Sequence, residues 1–438
     1  VNYQEALDYI HSLYRFGSKP GLERIADLLK RLGDPHQALR SAHITGTNGK
    51  GSTAAFLAAL LKAHGLRVGL YTSPYLESFT NRMAVDGCDV AEDELVGLVK
   101  KVRPHVAEIA ASALGQPTEF EVITAMAFDY FAARSPDWVV VEVGLGGRLD
   151  ATNVIMPEVA VITNIGLEHT QVLGDTVEQI ACEKAGIIKQ GVPVVTAADK
   201  PQALAVLEKT ARERGSRLLA VGREVLVECA GTTLDGQIFN YQSPWRELPG
   251  LSIGLLGRHQ MVNAASALAA LECLPSVPFS EAAVRRGLAA ARWPGRLEVY
   301  SREPLVLVDG AHNVDGALAL RRALTELLDG RKLYLVLGIL ADKAVEEMLS
   351  LLAPLATAGL LATRPDNVRA ADPHVVAELA RAYTRATVLV TPNVPAALEA
   401  ALSAAKPEEA VCVAGSLYTV SEACAVLRKV FDKSRTVF

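Results

Sequence analysis

The sequence predicts an α/β protein built from two parallel-sheet units that meet near residue 293. Three observations carry this. Short runs rich in Val, Ile and Leu without polar alternation, "RVGLYTS", "WVVVEVG", "VAVITN" and "VPVVT", read as strands buried on both faces. Helical patterns over 119–133, 175–189 and 200–214 lie between them, and strand–helix alternation makes a parallel sheet. After the Pro-Gly break in "RWPGRLEVY" (292–300) the alternation restarts with "LVLVDG", "KLYLVLG", "GLLAT", "TVLVT" and "AVCVAG". Five such strands suffice for a second doubly wound, Rossmann-like domain. The expected domains are 1–293 and 294–438, and 438 residues suit two or three domains of roughly 150 residues.

In chain order, the first segment "VNYQEALDYIHSLYRFGSKPGLERI" is charged and amphipathic and lacks a signal-type apolar core. "SAHIT" then ends a strand, and "STAAFLAALLKAHG" is a helix that starts at a Ser and stops at Gly65. Segment 223–252 departs from the alternation, and its Asp235-Gly236 pair signals a hairpin, hence a small antiparallel appendage. Residues 260–292 are again helical in pattern.

The bulk numbers set outer limits. Half of the residues are hydrophobic and 21% are charged, ordinary values for a chain with a sizeable core. Net charge is −5 with no block of like charge, which argues against a nucleic-acid or anionic-membrane binder. The six cysteines contain no C-x-x-C spacing and read as reduced thiols. No apolar stretch reaches about 18 residues, so no membrane span is expected and the reading is of a soluble, cytoplasmic protein.

The segment "HITGTNGKGSTAAFLAALLKAHG" (43–65) carries the chemistry. The usual phosphate loop is G-x-x-x-x-G-K-[ST]. Here Gly49-Lys50 supplies the Gly-Lys pair, but Ile44 stands at the first glycine position and Gly51 follows the lysine. A glycine-rich turn with a solvated lysine is the plainer alternative. A lysine and a serine at a helix start, directly after a buried strand, favour a mononucleotide site, where backbone N–H groups and the helix dipole meet phosphate oxygens.

The loop "GTNGKGS" (46–52) resembles that of folylpolyglutamate and dihydrofolate synthases, within the Mur ligase superfamily. Further similar motifs follow in order over nearly the whole chain: "YTSPYLESFTNRM", "TEFEVITA", "VEVGLGGRLDATNVI", "TNIGLEHTQVLGDT", "EKAGIIK", "HQMVNAASAL", "WPGRLE", "DGAHN", "LGILADK" and "AGSLYTVSE". The early "FGSKPGLERI" resembles the folylpolyglutamate-synthase side in particular.

That resemblance implies an ATP-dependent ligase that adds L-glutamate to folates through an acyl phosphate, with a dihydropteroate-using bifunctional enzyme as the alternative. It implies catalytic roles for Lys50, Lys184, Glu142 and His169, and Mg²⁺ ligands at Ser73, Glu142 and His169. Lys184 in "EKAGIIK" resembles the lysine that the family carbamylates with CO₂; without that likeness it reads as a surface lysine paired with Glu183. ATP contacts are implied at Thr47, Asn48, Gly49, Lys50, Gly51, Ser52, Asn263, Arg296 and Asp309. An interdomain salt bridge is the competing role for Arg296.

On the folate and glutamate side the resemblance points to Ser18, Lys19, Pro20, Arg82, Thr118, Glu119, Phe120, Glu121, Leu149, Asp150, Ala151, His312 and Ser416. Core packing is the competing role for Phe120. The stretch "TSPYLESFTNRM" is expected to be a mobile loop beside the substrate, and it departs from the family in having Tyr75 where His is common and Asn81 where Glu is common. The family also implies a monomer that closes its two domains around ATP and folate. A peptidoglycan-precursor ligase fits poorly, because residues 1–45 leave too little chain before the loop for a UDP-binding domain. A transport or regulatory ATPase would require the standard loop.

Overall fold

The computed structural model describes residues 1–17 and 20–431. Its first sheet has eight strands: β1 (Ser41–Thr45), β2 (Val68–Tyr71), β3 (Met83–Val85), β4 (Cys88–Asp89), β5 (Trp138–Glu142), β6 (Val159–Ile162), β7 (Val194–Thr196) and β8 (Leu218–Ala220). They lie side by side in the order β4-β3-β2-β5-β1-β6-β7-β8. The strands from β2 to β8 in that order pair in parallel, and β3 and β4 add an antiparallel edge. Every residue of β1, β2, β5 and β6 is buried, which is why these segments read as unbroken apolar runs.

The helix Lys50–Ala63 follows β1 and is buried at every position from Ser52 to Leu61. Its sequence is apolar on all sides because it is sandwiched between the sheet and the helices Arg258–Glu272 and Glu281–Ala290. Phe56, Leu57 and Leu60 share one core with Trp138, Leu268 and Leu288.

The appendage is a three-stranded antiparallel sheet of β9 (Leu226–Thr233), β10 (Gly236–Gln242) and β11 (Glu247–Ile253). Its first turn is Leu234-Asp235 with Gly236 opening β10, so the hairpin forms where the Asp-Gly pair signals one, displaced by one residue. The predicted helical stretch 260–292 is two helices, and the one expected over 175–189 is shorter, Val177–Ala185. Helices Tyr3–Ser12, Glu23–Arg31 and Glu92–Ala110 flank the β2–β4 side, packed with Phe128 and Phe131 in a separate core.

The second sheet has six strands, β12 (Glu298–Arg302), β13 (Leu305–Val308), β14 (Leu333–Leu337), β15 (Gly359–Ala362), β16 (Val388–Val390) and β17 (Ala410–Ala414). Their order is β12-β13-β17-β14-β15-β16, all parallel apart from the antiparallel edge β12. The strand pattern read after Pro294 is that edge strand.

One close approach fixes the floor of the first domain. A Cβ on Gly287 would stand 2.9 Å from the Ala59 carbonyl oxygen and 2.9 Å from the Leu60 Cα, both on the buried helix after β1. Gly287→Val should therefore lower the unfolding free energy by about 1–3 kcal/mol, the range for overpacking a filled interior. Urea denaturation of the two chains checks this, and equal midpoints would contradict it.

Candidate active site

Adjacent parallel strands β2, β5, β1 and β6 all end at one rim of the first sheet, and loops from each meet there. Connections leave β1 and β5 towards opposite sides, the arrangement in which open α/β sheets form a ligand crevice. The phosphate-type loop, residues 46–49, emerges from β1.

Residues 163–166, after β6, grip that loop. The Thr47 N–H donates to the Asn164 carbonyl at 2.8 Å and the Asn48 N–H to Asn164 Oδ1 at 2.6 Å. Thr163 Oγ1 donates to the Asn48 carbonyl at 2.6 Å, and a Cβ on Gly46 would collide with that hydroxyl. Gly49 is held at φ +85° with Asn263 Oδ1 against its open face, so no side chain fits there. Asn263 lies on the loop, and its amide donates to Gln260. Ser52 is buried in the first turn of the helix.

The departure at Gly51 has a direct cause. A Cβ there would fall within 2.8–2.9 Å of the Trp293 indole, which comes from the junction between the two sheets. The hydroxyl that an ordinary phosphate loop places after its lysine is thus excluded here.

Two lysines converge on one carbonyl. Lys50 Nζ donates to the Gly46 and Thr47 carbonyls, each at 3.1 Å, and Lys184 Nζ donates to the same Gly46 carbonyl at 2.9 Å. Lys184 is 4% exposed, so it is not the surface lysine that its Glu183 neighbour suggests. Glu183 instead pairs with Arg148. Burial, and then the Lys50 charge, push the Lys184 amine down to about 7.

Lys50 and Lys184 line a cleft with Glu168, His169 and the backbone of 143–146. His169 is exposed there at φ +52°, a left-handed conformation that β-carbon residues seldom adopt. A second cleft of about 520 Å³, open to solvent, is lined by Gly51, Ser73, Tyr75, Glu142, Trp293 and Arg296 among others. The pairs Lys50-Gly51 and Glu142-Val143 divide the two clefts, one residue of each pair facing each side.

Glu142 ends β5 and is 4% exposed. Its Oε2 accepts from the Ser73 N–H at 3.1 Å. Burial pushes its carboxyl up to about 7, with Lys50, the Ser73 N–H and Arg296 pulling the other way. A buried carboxylate beside a serine suits a hard cation that takes oxygen ligands, which is the donor chemistry of Mg²⁺. His169 faces the other cleft, and among the described residues no group of three His, Cys, Asp or Glu is placed to hold a metal. The protein donors therefore form an incomplete shell that phosphate and water oxygens would have to complete.

The second domain reaches the same place. Asn48 and Asn313 exchange amide hydrogen bonds at 3.2 and 2.9 Å, and Asn313 also caps the helix Val314–Leu327. Lys343 Nζ donates to Glu168 Oε1 at 2.9 Å, with His312 Nε2 3.4 Å from the same oxygen. Burial works to raise the Glu168 carboxyl, and the His312 and Lys343 contacts outweigh it, holding it well below the usual range. Asp309 accepts from the Leu297 and Ala311 N–H groups, each at 2.9 Å, so its carboxylate braces the junction between the domains. Arg296 lies against Gly310, whose lack of a side chain admits its guanidinium. Ser416 Oγ is engaged by Thr419 at the start of the last helix.

The expected folate-side residues divide. Ser18 and Lys19 lie outside the described residues, and Pro20 is exposed. Thr118 and Glu121 form the capping box of helix Glu119–Arg134, and Glu121 also pairs with Arg24 at 3.0 Å. These two have structural partners that account for them. Phe120 is partly exposed, with its ring on Gly144 and 6.2 Å from the Tyr71 ring. Leu149 is exposed, while Asp150 and Ala151 are buried. Burial raises the Glu119 carboxyl, opposed by Arg82. Arg82 lies over the Tyr75 and Phe79 rings at 5.2 and 5.5 Å, and among the described residues its Nε and Nη1 have no hydrogen-bond partner. Asn81 fixes the loop 74–82: its Oδ1 accepts from the Glu77 and Ser78 N–H groups, and its Nδ2 donates to Asp89 at 2.7 Å. A glutamate could not make that last donation.

The Glu142 carboxyl sets a pH signature. Its folded pKa lies above its ordinary value of 4.5, so its contribution to stability is present below pH 4.5 and is lost as pH rises through about 7. Glu142→Gln should leave the unliganded chain more stable than the native one at pH 8, by up to about 3 kcal/mol, with no gap below pH 4.5. Identical pH dependence of the two unfolding free energies would contradict this.

Comparison with known proteins places these features. Residues 44–271 match the Mur ligase middle domain and residues 295–417 the Mur ligase glutamate ligase domain. The chain is 40% identical over 360 residues to the dihydrofolate synthase/folylpolyglutamate synthase of Bacillus subtilis, covering 81% of this chain and 84% of that protein. It is 41% identical over 347 residues to the folylpolyglutamate synthase of Lacticaseibacillus casei, covering 78% and 81%. The structure of Mycobacterium tuberculosis folylpolyglutamate synthase complexed with ADP and AMPPCP superposes with a TM-score of 0.90 at 34% identity, over 99% of this chain and 100% of that one. Matched in sequence and in fold over most of its length, the chain belongs to the folylpolyglutamate synthase and dihydrofolate synthase family of Mur ligases.

Proposed function

We propose that this chain is an ATP-dependent ligase that joins the amine of L-glutamate to a carboxylate of a folate, with release of ADP and phosphate. A carboxylate does not react with an amine in water near neutral pH, because the anion is a poor electrophile. Transfer of the γ-phosphate to the carboxylate gives an acyl phosphate, whose phosphate then leaves when the amine attacks the carbonyl carbon. Two anions must be brought together for the first step, so the site must supply positive charge and exclude water.

The convergence of Lys50 and Lys184 on the Gly46 carbonyl carries this reading, because it concentrates cationic groups where a nucleotide triphosphate would lie. The Mycobacterium tuberculosis relative binds ADP and AMPPCP. By that likeness Thr47 to Ser52 would bind ATP phosphates, with Asn263 and Arg296 on the nucleotide and Asp309 bracing the junction. Glu142 and Ser73 would hold Mg²⁺, which would neutralise phosphate charge; Ser73 would provide the hydroxyl that Gly51 cannot. His169 would be a further ligand only from the facing cleft.

Lys184 would act as its carbamate. Carbamylation needs a neutral amine, whose lone pair attacks the carbon of CO₂ and which then loses a proton. A buried amine lowered to about 7 is neutral in a large share of molecules at physiological pH. On the acceptor side, the Arg82 guanidinium, whose Nε and Nη1 have no hydrogen-bond partner among the described residues, suits the folate carboxylate and Phe120 suits a planar ring. His312 and Ser416, from the second domain, would lie towards glutamate. The reading includes a monomer working in the cytoplasm.

A second reading keeps the same chemistry but adds dihydropteroate as acceptor, since the Bacillus subtilis relative carries both names. ADP release by purified protein with Mg²⁺-ATP and glutamate separates the two. Stimulation by tetrahydrofolate alone is expected for a dedicated polyglutamate synthase, and stimulation by dihydropteroate as well for the bifunctional one. No stimulation by either would overturn the folate assignment.

A further inference from the structure

Behind the acceptor side lies a buried relay that joins Asp150 to His43 and Thr152, two residues with no part in the assignments above. His43 and Thr45 alternate along β1 and point to the same face, while Ile44 between them packs into the central core. Thr45 Oγ1 donates to the Gly146 carbonyl at 2.6 Å. His43 is 0% exposed, and its Nε2 lies 2.8 Å from Thr152 Oγ1. Thr152 Oγ1 donates in turn to Asp150 Oδ1 at 2.5 Å.

Proton counting fixes the direction of this chain. Asp150 receives the Thr152 hydroxyl and the Thr152 N–H on Oδ1 and the Leu145 N–H on Oδ2, with the Gly144 N–H also directed at it. Burial raises the Asp150 carboxyl, but every group that meets its oxygens is a donor, and that geometry makes it the ionised acceptor. Thr152 has a single hydroxyl proton and gives it to Asp150, so its oxygen accepts from His43 Nε2–H. The ring is then neutral with a bare Nδ1, and among the described residues that Nδ1 has no partner. Burial agrees, pushing the His43 pKa down to about 3.

The relay ends beneath the Phe120 ring. Gly144 and Leu145, held by Asp150, begin a turn whose residues 144–146 also form one wall of the cleft of Lys50 and Lys184. A Cβ on Gly144 would stand 2.4 Å from the Phe120 ring, so that ring rests directly on the held backbone. Both ties start on β1, the strand that feeds the phosphate loop.

We infer that His43, as its Nε2–H tautomer, is a positioning residue for the acceptor: through Thr152 and Asp150 it sets the 144–147 turn on which Phe120 rests. This rests on the folate-acceptor reading above. Thr152→Val deletes the hydroxyl at nearly constant volume, whereas Thr152→Ser keeps it. His43→Leu deletes the donor, whereas His43→Gln presents an amide N–H at similar reach.

The deletion variants should raise the KM for tetrahydrofolate about tenfold with the ATP KM within about twofold, while T152S and H43Q stay within about threefold of the native chain. KM does not depend on how much enzyme is folded, so lost stability alone cannot imitate this split. An unchanged tetrahydrofolate KM in T152V and H43L, or equal effects in deletion and conservative variants, would overturn the inference. Imidazole ¹⁵N spectra of the native chain test the relay without any substrate, with His43 assigned by the signal missing in H43Q. A neutral Nε2–H ring at pH 7 is expected, and an Nδ1–H ring or an imidazolium would overturn it. If the native chain shows no tetrahydrofolate-stimulated ADP release, the acceptor reading fails by itself, and the spectra still decide the tautomer and the relay.

Discussion

The Gly46 carbonyl accepts from two lysines at once, and the arrangement of the site depends on that contact. Two ammonium groups on one oxygen are no farther than about 6 Å apart, and at an effective dielectric near 20 their repulsion is about 3 kcal/mol. A single carbonyl dipole does not offset this, and burial together with that repulsion weakens the hold of Lys184 on its proton. The pair is stable as two full cations only with an anion between or beside them. A triphosphate supplies one such anion, and a carbamate on Lys184 would supply another.

The surrounding constraints follow from holding that carbonyl in place. Gly46 must lack a side chain because Thr163 occupies the space, and Gly49 because Asn263 does. Gly51 must lack one because Trp293 lies over it, which ties the phosphate loop to the junction between the domains. Asn48 extends the same loop to Asn313, and Glu168 extends the neighbouring cleft to Lys343 and His312. These last two links join the phosphate-type loop and its neighbouring cleft to the second domain directly, through hydrogen bonds.

Much of this was legible in the sequence, for physical reasons. Strands such as β5 and β6 are buried on both faces and announce themselves as apolar runs, and the hairpin between β9 and β10 is signalled by Asp235-Gly236 to within one residue. The antiparallel edge β3–β4 was not legible, because two- and three-residue strands carry too little pattern. Lys184 shows the limit for single residues: its neighbour Glu183 suggests a surface pair, whereas Glu183 turns to Arg148 and Lys184 turns inward. Glu121 shows the reverse, since its position three residues after Thr118 is a capping-box signal, and it is committed to Thr118 and Arg24. Asn313 and Lys343 lie in motifs that were recognised, but their partners Asn48 and Glu168 are distant in sequence, and only the folded chain pairs them. Gly51 marked a departure in the loop without revealing its cause, because Trp293 is distant in sequence and only the folded chain brings it there.

The charge state of Lys184 decides which anion balances the pair. Carbon-13 NMR of the protein in ¹³C-bicarbonate, with and without Mg²⁺-nucleotide, reads it directly. The account predicts a protein-bound carbamate carbon that is absent from Lys184→Gln. No bicarbonate-dependent signal, together with full ligase activity in CO₂-free buffer, would contradict it.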